Sequence, residues 1–399
     1  MPHRPHVALI VESSRGYGRG LLRGVARYAR TRGPWAVYCP ERGIADPVPG
    51  WLRDWDGDGI IARVETRALE RAIVETGLPA IDLRGKFDLA LPLIETNDRK
   101  VAHLAAEHLL ERGFRLFAYC GFTGANYSIR RLKYFPARVR EAGYDCHVYP
   151  PSEASVVDES GNLQKEVEQH GILYEDDVAE WIRSLPKPIG IMACNDIRGQ
   201  QVLNACRAIG VAVPDEVAVV GVDNDEVLCE LSDPPLSSVA PDTWRIGFEA
   251  AALLDRMMRN EAPPRRKTFI APKGVVTRQS TDVTAIEDRE IARAVRMIRE
   301  RACDGLSVEG ILDEIPMSRS TLDRRFREAL GRSPKAEIMR VRMERVKQLL
   351  LETDFSLAEI ARRTGFRHTE YFSTIFKRKV GVTPGRYRHV GGPVERYRS

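Results

Sequence analysis

Short apolar runs alternate with longer amphipathic stretches along the first two thirds of the chain. The runs span residues 6–11, 35–38, 59–62, 79–83, 116–119, 190–193 and 217–222. Most are separated by helical patterns such as 101–112 and 200–209. Continuous apolar runs of this length, several rich in β-branched residues, are typical of strands buried on both faces of a parallel sheet. There are too many for one small sheet, so the pattern predicts two α/β lobes. Residues 151–171 lack periodicity and are predicted to form a surface insertion.

Residues 306–388 have a different pattern, because one arrangement of apolar residues, glycine and proline occurs there twice. Each copy has a short apolar helix, a tight turn at 316–318 or 365–367, and a second helix. This arrangement predicts two helix-turn-helix motifs, joined by one long helix at 334–351. The repeated residues are Leu322, Phe326, Gly331 and Pro334 in the first copy and Phe372, Phe376, Gly381 and Pro384 in the second.

The second helix of each copy has a polar side, which is the side that a recognition helix places in a major groove. The first copy is strongly basic on this side, which suits contacts with phosphates and guanine edges. In the second copy, Glu370 is able to accept a hydrogen bond from a cytosine amino group. The predicted DNA-binding residues are Arg319, Ser320, Thr321, Arg324, Arg325 and Arg327 in the first copy and Thr369, Glu370, Ser373, Thr374 and Lys377 in the second.

Charge is distributed unevenly between the two parts of the chain. Residues 285–399 contain 25 Lys and Arg against 17 Asp and Glu, which leaves 36 against 39 in the remainder. Because phosphate neutralisation supplies most non-specific affinity for DNA, a mildly acidic body joined to a basic module fits a DNA-binding regulator.

Composition argues against a membrane protein, a secreted protein and a metalloprotein. The chain is 43% apolar and 29% charged, and it has no long uncharged apolar run and no apolar core near Met1. Its seven scattered cysteines form no C-x-x-C pair, so we expect small buried thiols in a reducing cytoplasm. We expect no cofactor and no metal.

Three further patterns are better explained by packing than by function. Glycines at 16, 18 and 20 lie where a phosphate loop would be, but Leu21 occupies the last position of the dinucleotide fingerprint. His103, Glu107 and His108 resemble the zinc-protease helix motif, but one residue too many separates His103 from Glu107. Trp51 and Trp55 are expected to be packing anchors, with a sugar-stacking platform as the alternative.

Three groups of residues near the carboxyl end resemble the DNA-binding domain of the AraC family. They are Ile360, Ala361, Gly365 and Phe366, then Tyr371, Phe372, Phe376 and Lys377, and finally Gly381, Pro384, Tyr387 and Arg388. The resemblance covers about residues 290–390. It implies that operator or promoter DNA is a partner, that the chain activates genes, and that RNA polymerase is a further partner.

Five stretches, at 105–113, 193–196, 210–224, 235–239 and 278–281, resemble the sugar sensor of the lactose/galactose repressor family. That family has the two-lobed fold of periplasmic sugar-binding proteins. The resemblance implies a sensor at 1–281, with lobe 1 at 6–114 and 240–268 and lobe 2 at 115–239 and 269–281. The chain then crosses between lobes near Arg115, Val239 and Phe269. A linker at 282–289 and a DNA-binding domain at 290–399 follow.

A sugar offers many hydroxyls and no charge, so carboxylates, amides and guanidinium groups at the carboxyl ends of strands are expected to bind it. The repressor family implies Arg131, Asn195 and Asp223 at these positions. A similarity to regulators that join such a sensor to an AraC-type domain implies Tyr17, Arg19, Asp196 and Arg198. The full predicted set is Ser13, Tyr17, Arg19, Arg131, Asn195, Asp196, Arg198, Asp223 and Asn224. Capping a helix or forming an ion pair is the alternative role for each.

These features together predict a cytoplasmic, sugar-responsive transcription regulator that is a homodimer and not an enzyme. The combined resemblance implies D-xylose as the effector, and another pentose, a hexose or a sugar derivative remains the alternative. A sugar-processing enzyme with a DNA-binding appendage is the rival from another class. The sequence contains no activated nucleophile, metal set or phosphate loop to support that rival.

Overall fold

Two six-stranded sheets form the frame of the first of two units into which the chain divides, residues 1–283 and 284–399. The computed structural model describes residues 4–44, 46–150, 175–261, 267–282, 288–366 and 368–390. The predicted insertion at 151–171 lies outside these residues, as does most of the predicted linker.

Lobe 1 contains a parallel sheet. Its strands are β1 (His6–Ile10), β2 (Ala36–Tyr38), β3 (Gly59–Ala62), β4 (Ala80–Asp82), β5 (Leu93–Thr96) and β11 (Lys267–Ile270). The strand order is β11-β5-β4-β3-β1-β2, and every adjacent pair is parallel.

Lobe 2 repeats this plan with one antiparallel edge. Its strands are β6 (Phe117–Cys120), β7 (Cys146–Val148), β8 (Ile189–Ala193), β9 (Val217–Val222), β10 (Ser237–Ala240) and β12 (Gly274–Val276). The order is β12-β10-β9-β8-β6-β7, with only β10 and β12 antiparallel among these pairs.

Helices follow most strands, as expected where parallel strands are joined by crossovers. They are α1 (Gly16–Thr31), α2 (Arg67–Glu75), α3 (Asp98–Leu110), α4 (Asn126–Glu141), α5 (Glu175–Ser184), α6 (Asp196–Ala208), α7 (Glu226–Leu231) and α8 (Thr243–Met258). The predicted fold, a two-lobed α/β sensor followed by an all-α domain, is confirmed.

Two of the three predicted crossings between lobes are displaced. Helix α3 was assigned to lobe 1, but it packs on β8, β10 and β12, so the first crossing comes at Asn97 and not near Arg115. Phe269 lies within β11 of lobe 1, which places the third crossing at 271–273. The second crossing follows β10, close to the predicted Val239. Apolar periodicity marks which face of a helix is buried but not which sheet buries it, and that is why α3 was misassigned.

The glycine run after β1 packs one helix against its neighbours. A Cβ on Gly18 would collide with the carbonyl oxygen of Glu12, and one on Gly20 with the side chain of Thr243. A Cβ on Gly24 would collide with the backbone of α8. The glycines therefore permit close approach of α1 to α8, in agreement with the packing interpretation.

The other packing interpretations have mixed outcomes. Trp51 and Trp55 form an aromatic cluster with Tyr38, at ring-centroid distances of 4.8 to 5.7 Å. His108 is buried and bonded to the Thr281 hydroxyl at 2.7 Å. All seven cysteines are free, but the prediction that they are buried holds for four only. Cys39 is exposed, because it follows the edge strand β2.

The second unit consists of helices built around one long central helix. They are α9 (Arg289–Arg301), α10 (Val308–Leu312), α11 (Arg319–Leu330), α12 (Pro334–Glu352), α13 (Leu357–Arg363), α14 (Thr369–Val380) and α15 (Pro384–Val390). Helix α9 begins at Arg289, within the predicted linker. Gly331 and Gly381 both have left-handed φ values, +68° and +83°, and end α11 and α14 in the same way.

Two separate apolar cores share α12. The first lies between α9, α10, α11 and the start of α12, with Leu322 and Phe326 buried. The second lies between the end of α12 and α13 to α15, with Phe372 and Phe376 buried. Each helix-turn-helix motif therefore has its own core, as the repeat predicts. Among the described residues, no helix is long and apolar enough to span a membrane.

Candidate functional site

A cleft lies between the two lobes of the first unit. Most of its lining comes from residues at the carboxyl ends of strands or at the start of the helices that follow, where ligands bind in open α/β sheets. Lobe 1 contributes Arg15, Tyr17, Ile44, Arg63, Leu83, Arg84, Glu95 and Thr96. Lobe 2 contributes Asp98, Tyr127, Arg130, Arg131, Asn195 and Asp223.

The lobe 1 wall is organised around Tyr17, in the first turn of α1. Its hydroxyl lies 2.9 Å from the Thr96 hydroxyl, and the Arg63 guanidinium lies 4.9 Å from its ring centroid. Arg63 is itself paired with the buried Glu12. Burial raises the pKa of Tyr17 to about 12, so the phenol stays protonated and able to donate a hydrogen bond at neutral pH.

The lobe 2 wall is organised around Arg131, which α4 places one turn before the buried Phe135. Its Nε donates to Asp98 Oδ1 at 2.8 Å, and one Nη atom donates to the Cys194 carbonyl. The same guanidinium lies 5.0 Å from the Tyr127 ring centroid. Asn195 donates to the Tyr127 hydroxyl at 3.2 Å and caps α6. These contacts hold the side chains of the lobe 2 wall against one another.

Several hydrogen bonds join the two lobes. Arg130 of α4 contacts Glu95 of β5 at 2.7 Å, and Asn126 donates to the Gly85 carbonyl at 2.9 Å. The Gly16 amide donates to Asp225 at 2.9 Å. The first of these pairs lies in the cleft itself, so movement of one lobe against the other must change the geometry of the cleft.

Most of the arginines in the lining are paired with carboxylates. The lining contains five arginines and the carboxylates of Glu95, Asp98 and Asp223. Two more carboxylates lie behind them, since Glu12 pairs with Arg63 and Glu65 binds Arg84 at 2.6 Å. A site with many donors and acceptors, in which four of the five arginines have a carboxylate partner, suits an uncharged polyhydroxyl ligand.

Four of the nine residues predicted to bind ligand line the cleft, namely Tyr17, Arg131, Asn195 and Asp223. The other five are engaged nearby. Ser13 accepts from the Arg42 amide, and Arg19 donates to the Ser13 carbonyl.

Asp196 and Arg198 lie beneath the lobe 2 wall. Asp196 is buried and accepts from the Asp225 amide and the Ser238 hydroxyl. Burial and the neighbouring Asp223 raise the pKa of Asp196. Arg198 is buried against the Phe122 and Tyr149 rings and donates to Gln201. Neither side chain lines the cleft.

Asp223 and Asn224 have unusual backbone conformations for residues other than glycine. Their φ values are 112° and 48°. Strained residues of this kind cluster at ligand sites, because the surrounding structure must hold them. Asn224 is turned from the cleft and accepts from Arg278 at 2.9 Å.

Several lining residues were missed by sequence reasoning. Thr96 and Asp98 flank the crossing at Asn97, and Arg63, Arg84 and Glu95 follow or end strands β3, β4 and β5. The signal was available for Arg63 and Arg84, since each directly follows a predicted strand, but β5 was not predicted at all.

In the second unit, the predicted DNA-binding residues lie mostly on exposed helix surface. Arg319, Ser320, Arg324 and Arg327 are exposed on α11, and Glu370, Thr374 and Lys377 are exposed on α14. Thr321, Thr369 and Ser373 are half-buried.

Arg325 has an internal role that the sequence did not indicate. Its Nε donates to Asp288 Oδ2 at 2.6 Å, and Asp288 also caps α9. Arg325 therefore joins α11 to α9 and is turned toward the body of the domain. In the part of the chain that the structure describes, no group of three or more His, Cys, Asp or Glu residues is placed to hold a metal ion.

Comparison with known proteins agrees with both halves of this description. Residues 106–281 match the model of a periplasmic binding protein-like domain, and residues 311–389 match that of a helix-turn-helix domain. The chain is 31% identical over 402 residues to the xylose operon regulatory protein of Escherichia coli strain K12, covering 98% of each chain. The chain is also 29% identical over 391 residues to the xylose operon regulatory protein of Haemophilus influenzae, covering 96% of this chain and 97% of the relative. The solved structure of the xylose-binding transcription activator xylR superposes with a TM-score of 0.71 at 30% identity, covering 98% of this chain and 99% of that one. The chain therefore belongs to the family of xylose operon regulatory proteins.

Proposed function

We propose that the chain is a transcription activator that binds D-xylose between its lobes and binds operator DNA through its two helix-turn-helix motifs. The observation that carries this proposal is the polar cleft, whose hydrogen-bonding groups come from both lobes. D-xylose is the proposed ligand because relatives that match over nearly the whole chain are named for xylose.

The proposed roles in sugar binding follow from donor and acceptor chemistry. The Asp98 and Asp223 carboxylates accept hydrogen bonds from sugar hydroxyls, and Arg131 and Asn195 donate to sugar oxygens. Tyr17 contacts the sugar from lobe 1, with Arg63 held against its ring. Because contacts come from both lobes, the sugar stabilises one lobe arrangement over others, and only such a difference lets it act on DNA.

The proposal extends to assembly. The chain acts as a homodimer, so a change in lobe arrangement alters the distance between two DNA-binding domains. RNA polymerase is the further partner through which bound protein activates transcription. The mildly acidic first part and the basic second part of the chain fit this division of roles.

Thermal unfolding of the full chain with a panel of pentoses and hexoses tests the ligand. A sugar that binds only the native state raises the melting temperature. We expect D-xylose to give the largest increase. A larger increase with another sugar would overturn the choice of xylose, and no increase with any sugar of the panel would overturn the sugar site.

A further inference from the structure

We propose that Arg342 is a positioning residue that fixes the two helix-turn-helix motifs relative to each other, so that both recognition helices reach DNA together. The inference rests on the proposed function, because it concerns how two motifs of one chain bind a single duplex.

The first observation is the place of Arg342 in α12. The core of the first motif includes Ile338 and borders Val341, whereas the core of the second includes Met343 and borders Met339. Arg342 therefore lies next to the stretch of α12 that the two cores share. Long helices bend, so α12 alone sets the separation of the motifs better than it sets their relative orientation. Contacts between the two motifs must therefore fix their relative orientation.

The second observation is a pair of hydrogen bonds toward the first motif. Arg342 Nε donates to the Ala302 carbonyl at 2.7 Å, and an Nη atom donates to the Leu306 carbonyl at 3.2 Å. Both carbonyls belong to the turn that joins α9 to α10. A planar guanidinium with several fixed donors is able to hold two carbonyls at once, which a lysine ammonium does less specifically.

The third observation is contact with the second motif. The Arg342 guanidinium carbon lies 5.9 Å from the ring centroid of Phe366, which belongs to the turn of that motif. Gly365, in the same turn, has a φ of +73°. A Cβ added to Gly365 would lie 2.9 Å from the Cys303 carbonyl oxygen and 3.2 Å from the Arg342 guanidinium carbon.

The turn of the second motif thus packs directly against the turn that leads into the first, with Arg342 between them. The guanidinium is half-buried and contacts both turns, so its geometry fits a bridge better than a phosphate contact. Loss of the bridge leaves each motif with its own core and its own recognition helix. Loss of the bridge should therefore weaken DNA binding only when both motifs bind one duplex.

The test uses the full chain and a duplex selected with it from a random-sequence pool. A two-box duplex carries both recognised segments, and two single-box duplexes each have one segment scrambled. Arg342→Ala is compared with Lys335→Ala, which removes one positive charge from an exposed position of the same helix. We expect Arg342→Ala to bind the two-box duplex about tenfold more weakly, because linked modules gain affinity through effective concentration. Its affinity for single-box duplexes stays that of the parent.

Two further measurements separate positioning from charge and from folding. Arg342→Lys keeps the charge but lacks the planar fork, so we expect it to lose most of the two-box preference. Inserting one or two base pairs between the boxes should weaken the parent more than Arg342→Ala. Lys335→Ala should keep the parent's ratio of two-box to single-box affinity.

Equal two-box affinity of Arg342→Ala and the parent would overturn the inference. So would an equal loss on all duplexes, in Arg342→Ala and Arg342→Lys alike, since that indicates a local folding defect. Parent-like two-box affinity of Arg342→Lys would also overturn the inference, because the effect would then come from charge and not from the planar guanidinium. Failure of the parent to select any duplex would instead overturn the proposed DNA-binding function.

Discussion

Replacing Asp223 by asparagine is the sharpest test of the cleft. Asp223 directly follows β9, lines the cleft and has a φ of 112°. Asparagine is close to aspartate in size and tolerates positive φ better than most residues, so the substitution removes the charge with little change in the backbone. A hydrogen bond to a charged group contributes about 1.5–3 kcal/mol, so we expect sugar affinity to fall by about 10- to 150-fold.

The same substitution should have little effect on the stability of the unliganded protein. Burial and the charge of Asp223 raise the pKa of Asp196 to about 8, so Asp196 is mostly protonated at neutral pH and its repulsion with Asp223 is weak. Asp223 also attracts the buried Arg131 guanidinium, and the substitution removes this attraction together with the repulsion. Because the two effects oppose each other, the free energy of unfolding at neutral pH should change little.

Isothermal titration calorimetry with D-xylose measures the affinity, and thermal unfolding without sugar measures the stability. Asp145→Asn is the matched control, because it makes the same change at an exposed position of lobe 2. Arg131→Ala is a less clean probe, since Arg131 is buried and its loss takes one partner from Asp98. Unchanged sugar affinity in Asp223→Asn would remove Asp223 from the site.

Two further predictions address DNA contact and pH. Arg324 is exposed on α11, and Arg324→Ala should weaken operator binding by about 1–3 kcal/mol if it contacts guanine, with a smaller loss on random DNA at the same salt concentration. Equal affinities of mutant and parent for both kinds of DNA would remove it from the recognition set. Burial raises the pKa of Glu95 to about 7, against the opposing effect of Arg130. Because the folded pKa is above the unfolded one, the protonated carboxyl stabilises the fold at low pH, and this contribution is lost as pH rises through about 7. Urea unfolding from pH 5 to 8 should show this loss in the parent and not in Glu95→Gln; parallel pH profiles would contradict it.

The strands with continuous apolar runs were predictable from the sequence, whereas the short strands that pair with them were not. The apolar runs at 59–62 and 217–222 coincide with β3 and β9, because continuous burial leaves a clear pattern. Strands β5, β7, β10, β11 and β12 were not predicted. They are three or four residues long and include polar residues such as Glu95 and Ser237, so their place in the sheets depends on contacts that periodicity does not reveal.

The candidate site was only partly predictable for a related reason. Asn195 and Asp223 follow clear strands, so the rule for strand ends found them. Asp98 belongs to the cleft only because the chain crosses between lobes at Asn97, and Arg130 only because α4 brings it to Glu95. Such pairs form between segments distant in sequence, and no local pattern encodes them.

The central claim is that one chain couples sugar binding to operator binding. The direct measurement is the affinity of the full chain for operator DNA with and without saturating D-xylose, together with its affinity for D-xylose with and without saturating operator. Coupling of this kind is typically about 1–3 kcal/mol, or roughly 5- to 150-fold, and is reciprocal. We expect sugar to tighten operator binding, and operator to tighten sugar binding by the same factor. Operator affinity that does not change with sugar would contradict the account.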